Sequence, residues 1–174
     1  MDAKRPLPIV EAPPLGRDSD LDRDAEALYD ALSELTRVYA FRDRDRICCF
    51  DVSVSQCYAL EEIVRHGGPT LNQLAAHLYL DKSTTSRVVD GLERKGYAVR
   101  APHPDDGRAV CVRPTPDGER LLTRIRRSIL DEERDLIAGL EPAVRRALPD
   151  LLRRLARAAA ARVDTAGGTC CRLP

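Results

Sequence analysis

Between Thr70 and Thr115 the chain reads TLNQLAAHLYLDKSTTSRVVDGLERKGYAVRAPHPDDGRAVCVRPT, and this stretch leaves few folds open. Thr70 is a helix-capping residue ahead of the short apolar-periodic run LNQLAAHL. Asp81 or Ser83 can cap a second helix reaching about Lys95, where Gly96 closes it. Two short strands then flank Pro104, Asp105, Asp106 and Gly107, which is a hairpin signal. A short helix, a tight turn, a second helix and a two-stranded hairpin follow the order of a winged helix-turn-helix.

The flanks extend this unit at both ends. Leu21, Ala25, Leu28, Leu32, Leu35, Val38 and Tyr39 recur at steps of three and four, predicting one long helix from Asp20 to about Arg46. Ser53 with Gln56 forms a capping box for a helix carrying Cys57, Leu60 and Ile63, stopped by Gly67, Gly68 and Pro69. Thr115 and Pro116 start a helix through about Ala138, Gly139 interrupts it, and Pro142 restarts a last helix to about Val163. The leucine and isoleucine stripes of these last helices, from Leu121 to Leu155, exceed what a small winged domain can cover, which predicts a partner.

The expected fold class is mainly α with a small β-hairpin wing, its long terminal helices forming a dimer interface. The domain reading is an arm over 1–18, rich in proline, and a dimerisation helix over 19–46. A winged helix-turn-helix follows over 47–115, then dimerisation helices over 116–163 and a cysteine-containing tail over 164–174.

The 174 residues carry 28 basic and 28 acidic side chains, so a nucleic-acid role needs local charge clustering. Lys82, Arg87, Arg94, Lys95, Arg100, Arg108 and Arg113 face only Asp90, Glu93, Asp105 and Asp106 in the stretch from Lys82 to Arg113. The start of the second helix offers Lys82, Ser83, Thr84, Thr85, Ser86 and Arg87 to phosphates and base edges, with free backbone N–H groups favouring phosphate. The plainer alternative is a helical domain in which the Ser/Thr cluster only caps a helix.

The amino terminus lacks the pattern of a signal peptide, and no apolar run approaches eighteen residues, so the expected location is the cytoplasm. There is no Cys-x-x-Cys, no Gly-rich phosphate loop, no His-Glu-x-x-His and no nucleophile elbow, which argues against an enzyme.

With its flanking helices, the segment containing VSVSQCYALEEI, the helix-turn-helix stretch above and DDGRAVCVRPTPDGERLL resembles the multiple-antibiotic-resistance regulator (MarR) family. The resemblance implies a homodimer whose end helices interlock and whose two recognition helices read a near-palindromic site on double-stranded DNA. It also implies transcriptional regulation, and the expected role is that of a repressor, although the sequence does not distinguish repression from activation. The family's Asp-x-Arg wing corresponds to Asp106 and Arg108, with the arginine entering the minor groove and the aspartate holding it. Pro114 departs from the pattern, standing where the family usually has an apolar residue.

Members of the family respond to phenolic ligands, to cysteine oxidation or to metals, and six cysteines make that choice a matter of this sequence. Cys48 and Cys49 precede the second helix, and Cys57 lies one turn beyond its cap. Thiolates near a helix start have lowered pKa values. Three soft donors suit As(III) or another thiophilic ion, or an iron–sulfur cluster with Cys170 or Cys171 as a further ligand. Competing readings are a thiol redox switch, a phenolic-ligand pocket, and plain burial of Cys57 as a small hydrophobe. Cys111 reads as incidental, expected to face away from the side of Val110 and Val112. Zinc lacks its usual partners near the trio, because His66, His77 and His103 are far apart in sequence.

Overall fold

The computed structural model describes residues 19–103 and 109–165, without the side chains of Cys48 and residues 163–165. The chain divides into two compact units that meet in sequence at Val54 and Ser55.

The first unit holds α1 (Ser19–Ile47) followed by a single 3-10 turn (Cys48–Phe50), where the sequence predicts only a linker. Asp20 and Asp22 lie in the first turn of α1 and Arg44 and Arg46 in the last, so both ends complement the helix dipole. Leu21, Leu28, Tyr29, Leu35, Val38 and Phe41 on this helix are exposed.

The second unit contains α2 (Val54–Arg65), α3 (Leu71–Leu78), α4 (Lys82–Arg94), β1 (Ala98–Pro102), β2 (Val110–Pro114), α5 (Pro116–Ala138) and α6 (Pro142–Thr165). Its core is continuous across the elements. Ala59, Leu60 and Ile63 of α2, Leu74 of α3, Val89 and Leu92 of α4, Ala98 of β1 and Ile125 of α5 are all fully buried. Such burial removes each large side chain from water at about 1.5–3 kcal/mol apiece.

The hairpin is antiparallel, with Ala98 opposite Pro114 and Pro102 opposite Val110. Pro114 fits because it is the last strand residue. The chain leaves through Thr115, whose N–H donates to the Tyr97 carbonyl at 3.1 Å. A third segment covers β2 from its other edge: Thr70 bridges to Cys111, and the Val112 N–H donates to the Pro69 carbonyl at 2.9 Å. Cys111 and Val112 are both buried, so the Cys111 thiol is a core group rather than an incidental one.

Helix α6 has no buried residue among those described, and it exposes Val144, Leu151 and Leu152. Leu130, Leu136 and Leu140 are likewise exposed along α5 and just beyond it. No helix among the described residues is long and apolar enough to cross a membrane.

Candidate nucleic-acid interface

The helix-turn-helix is built from local capping chemistry. Thr70 and Gln73 close a reciprocal capping box at the start of α3: the Gln73 N–H donates to the Thr70 hydroxyl at 3.3 Å, and the Thr70 N–H donates to the Gln73 amide oxygen at 2.8 Å. Tyr79 ends the helix in the left-handed region (φ 53), so the Leu80 N–H reaches back to the Ala75 carbonyl at 3.0 Å. The turn then delivers Asp81 as the cap of α4.

Asp81, not Ser83, is that cap. Its carboxylate accepts from the Thr84 N–H at 2.8 Å, the Ser83 hydroxyl at 2.6 Å and the Thr84 hydroxyl at 2.6 Å. These donors, led by the Ser83 hydroxyl, hold the Asp81 carboxyl well below its ordinary value of 3.8. A group with a lowered folded pKa stabilises the fold above its ordinary pKa and loses that contribution as the pH falls. Asp81→Ala is therefore expected to lower the melting temperature at neutral pH. The wild type should lose its advantage over the variant as the pH drops below 3.8. Thermal melts from neutral to acid pH would show this as two converging curves; parallel curves would remove the carboxylate from the account.

The six residues at the start of α4 divide by burial. Lys82, Ser83 and Arg87 are exposed, and Thr84 and Ser86 are half-buried. Thr85 has no exposed surface, and its hydroxyl donates to the Asp81 carbonyl at 2.9 Å. The expectation that Thr85 touches DNA is therefore corrected: a side chain without surface cannot reach a phosphate, and its hydroxyl bonds the backbone of the preceding turn instead.

Arg100 corrects the charge reading in the same way. Its guanidinium pairs with Asp90 at 2.8 Å and with Glu93, while its own N–H donates to Glu93 at 2.8 Å. One arginine of β1 thus pairs with both acids of α4 and ties the hairpin to that helix. The wing strands stay paired out to His103, whose N–H donates to the Ala109 carbonyl at 2.9 Å. Asp106 and Arg108 lie outside the described residues, as do Cys170 and Cys171. A groove of about 500 Å³ runs beside α4, lined by Thr70, Asn72, Lys82, Arg100 and Val110 among others.

The cysteines are placed individually. Cys49 is exposed, with its thiol 3.8 Å from the Asp45 carbonyl. Cys57 is buried and lines a cavity of about 210 Å³ between α2 and α5, with Glu61, Leu122, Ile125, Arg126, Ile129 and Leu130. Neither is in a disulfide. The α5 lining of that cavity escapes sequence reasoning because it depends on contacts between residues some seventy positions apart.

Two helices joined by a tight turn, with the exposed edge of the second beside an antiparallel hairpin, make the fold a winged helix-turn-helix. The model of the MarR family matches residues 50–109. The chain is 33% identical over 147 residues to an HTH-type transcriptional regulator, MT0903.1, of Mycobacterium tuberculosis, covering 83% of this chain and 97% of that one. It is 37% identical over 98 residues to a Thauera aromatica protein named for regulation of the hcr operon, spanning 56% of this chain and only 59% of that relative. Among solved structures, a MarR family protein from Bacillus stearothermophilus superposes with a TM-score of 0.72 at 22% identity, covering 79% of this chain and 96% of the other. The chain belongs to the MarR family of DNA-binding transcription regulators. Its relatives are regulators rather than enzymes.

Proposed function

We propose that this regulator is a homodimeric repressor that places α4 of each subunit in successive major grooves of a near-palindromic operator. The observation that carries this reading is the exposed edge of α4, where Lys82, Ser83 and Arg87 flank a capped helix start. Thr84 and Ser86 contribute from the margins, and Thr85 leaves the contact set. Arg108, steadied by Asp106, is assigned to the minor groove.

The dimer assignment is supported by α6, a helix of 24 residues without a buried position among those described, and by the exposed leucines of α5. Helices in proteins owe most of their stability to packing of an apolar face, so α6 needs a covering surface. A second copy supplies one, which gives 19–46 and 116–163 the dimerisation role and 47–115 the DNA-binding role. The test is sedimentation of the purified chain together with footprinting on DNA upstream of its own gene. A two-chain species protecting two half-sites about one helical turn apart is expected. A monomer that protects nothing overturns the reading.

The effector response is assigned to thiol chemistry centred on Cys57. This thiol lines a cavity whose other wall is α5, a helix expected to carry the dimer. Cys48 and Cys49 are its expected sulfur partners on sequence grounds, for As(III), another soft ion, an iron–sulfur cluster or an oxidant, with Cys170 and Cys171 as further donors. Cys57→Ala is expected to keep operator binding while abolishing release by As(III) or peroxide in a mobility-shift titration. Release of the variant at wild-type effector concentration would return Cys57 to a packing role. A phenolic compound that releases wild type and variant equally would favour the cavity as an ordinary ligand pocket.

A further inference from the structure

Glu62, His66 and His77 converge on one point of the second unit, and no cysteine is among the three. Glu62 lies in the last turn of α2, His66 is the first residue after that helix, and His77 is the penultimate residue of α3. The imidazole Nε2 of His66 is 3.1 Å from Glu62 Oε2, and His77 Nδ1 is 3.9 Å from the same oxygen. The two rings stack with centroids 4.0 Å apart and planes inclined by 26°. One ligand atom from each residue lies within 4.8 Å of the other two.

We infer that Glu62, His66 and His77 form a binding site for a divalent first-row transition ion, with Zn(II) as the representative occupant. A tetrahedral zinc with bonds of about 2.0–2.1 Å to nitrogen and oxygen requires its ligand atoms roughly 3.3 Å apart. The 3.1 and 3.9 Å separations from Glu62 Oε2 lie on either side of that value, and the two rings must turn out of their stack to aim both nitrogens at one ion. Two imidazoles and one carboxylate are a borderline donor set suited to zinc, nickel or copper rather than to thiophilic ions. The partial exposure of all three residues leaves the fourth position open to water.

The backbone holds the pieces in place. Gly67 and Gly68 take positive φ values of 67° and 110°, turning the chain sharply between α2 and α3. The Thr70–Gln73 capping box then fixes where α3 begins. Arg65 occupies the other carboxylate oxygen of Glu62 at 2.7 Å, leaving Oε2 facing the rings. An ion here clips the first helix of the helix-turn-helix to the helix that precedes it, two residues before the Tyr79 turn that leads into α4. This inference rests on the side-chain geometry alone, and neither dimerisation nor operator binding enters it.

The test is titration of the full-length chain, stripped of metal by chelation, with Co(II) followed by optical spectroscopy, and with Zn(II) followed by calorimetry. His77→Ala and Glu62→Gln are run in parallel. The wild type should take up one equivalent per chain more than either variant. The difference spectrum should show ligand-field bands without a thiolate charge-transfer band. Zn(II) should also raise the melting temperature of the wild type, and at least ten times more Zn(II) should be needed for the same rise in His77→Ala. Equal uptake by wild type and His77→Ala overturns the inference, as does a difference spectrum dominated by thiolate charge transfer. Because both substituted residues are partly exposed, circular dichroism of the metal-free variants verifies their folding before the comparison is made.

Discussion

Gly118→Ala is expected to destabilise the protein by about 2–3 kcal/mol, although alanine is the better helix former. Gly118 is the third residue of α5, after Pro116 and Asp117, and its N–H donates to the hydroxyl of the capping Thr115 at 3.1 Å. A Cβ built there falls on the carbonyl oxygen of Tyr97, with the Tyr97 carbonyl carbon at 3.0 Å and Leu60 Cδ1 at 3.3 Å. The obstacle is backbone, so no rotamer change relieves it. Tyr97 is itself held: its carbonyl accepts from the Thr115 N–H, and the Thr115 hydroxyl donates to the Gly96 carbonyl at 2.6 Å. For a chain of this length the loss corresponds to a fall in Tm of roughly 5–10 °C. Gly139→Ala is the control, because nothing lies within 4 Å of its Cβ position and its φ of −80° suits any residue. Propensity alone makes both substitutions neutral or stabilising; close approach makes only the first one costly. Two melting curves decide, and a stable Gly118→Ala would show that α5 can stand away from the α4–β1 junction.

Arg87→Ala should weaken operator binding by roughly 100-fold if the proposed dimer makes two such contacts, at about 1.4 kcal/mol each. Arg87 is exposed one turn after Ser83 on the edge of α4, whereas Arg100 is occupied by Asp90 and Glu93. Only the former is available to a groove. If Arg87 reads a base, the loss falls on the operator and spares unrelated DNA. If it meets phosphate, binding weakens about equally on every sequence and the salt dependence becomes shallower. Wild-type affinity in the variant, measured by fluorescence anisotropy at fixed salt, would exclude α4's exposed edge as the reading surface.

The succession of elements was legible because its signals are local. Thr70, Thr115 and Pro116 mark helix starts through bonds made within one turn, and the structure keeps them at those starts. At α4 the sequence left two caps open, and the choice of Asp81 over Ser83 follows from which side chain reaches the Thr84 N–H. Thr85 misled for a related reason. In the sequence it is one of four consecutive short hydroxyl residues, but in the helix it turns towards the core while Ser83 turns towards solvent. Strand period puts Cys111 and Val112 on opposite faces but does not say how many faces are covered, and both residues are buried. Residues 69–70 pair with the free edge of β2, a contact that strand period does not foretell either.

Composition, caps and periodicity by themselves determined that this chain makes long terminal helices, a helix-turn-helix and a hairpin, since each follows from contacts within a few residues. The tertiary structure alone decided which cations are available, which glycine cannot change, and that two histidines eleven residues apart lie face to face beside one carboxylate. Those outcomes depend on where separate elements cross. Crossing is set by the summed packing of side chains distant in sequence, which no short window of residues contains.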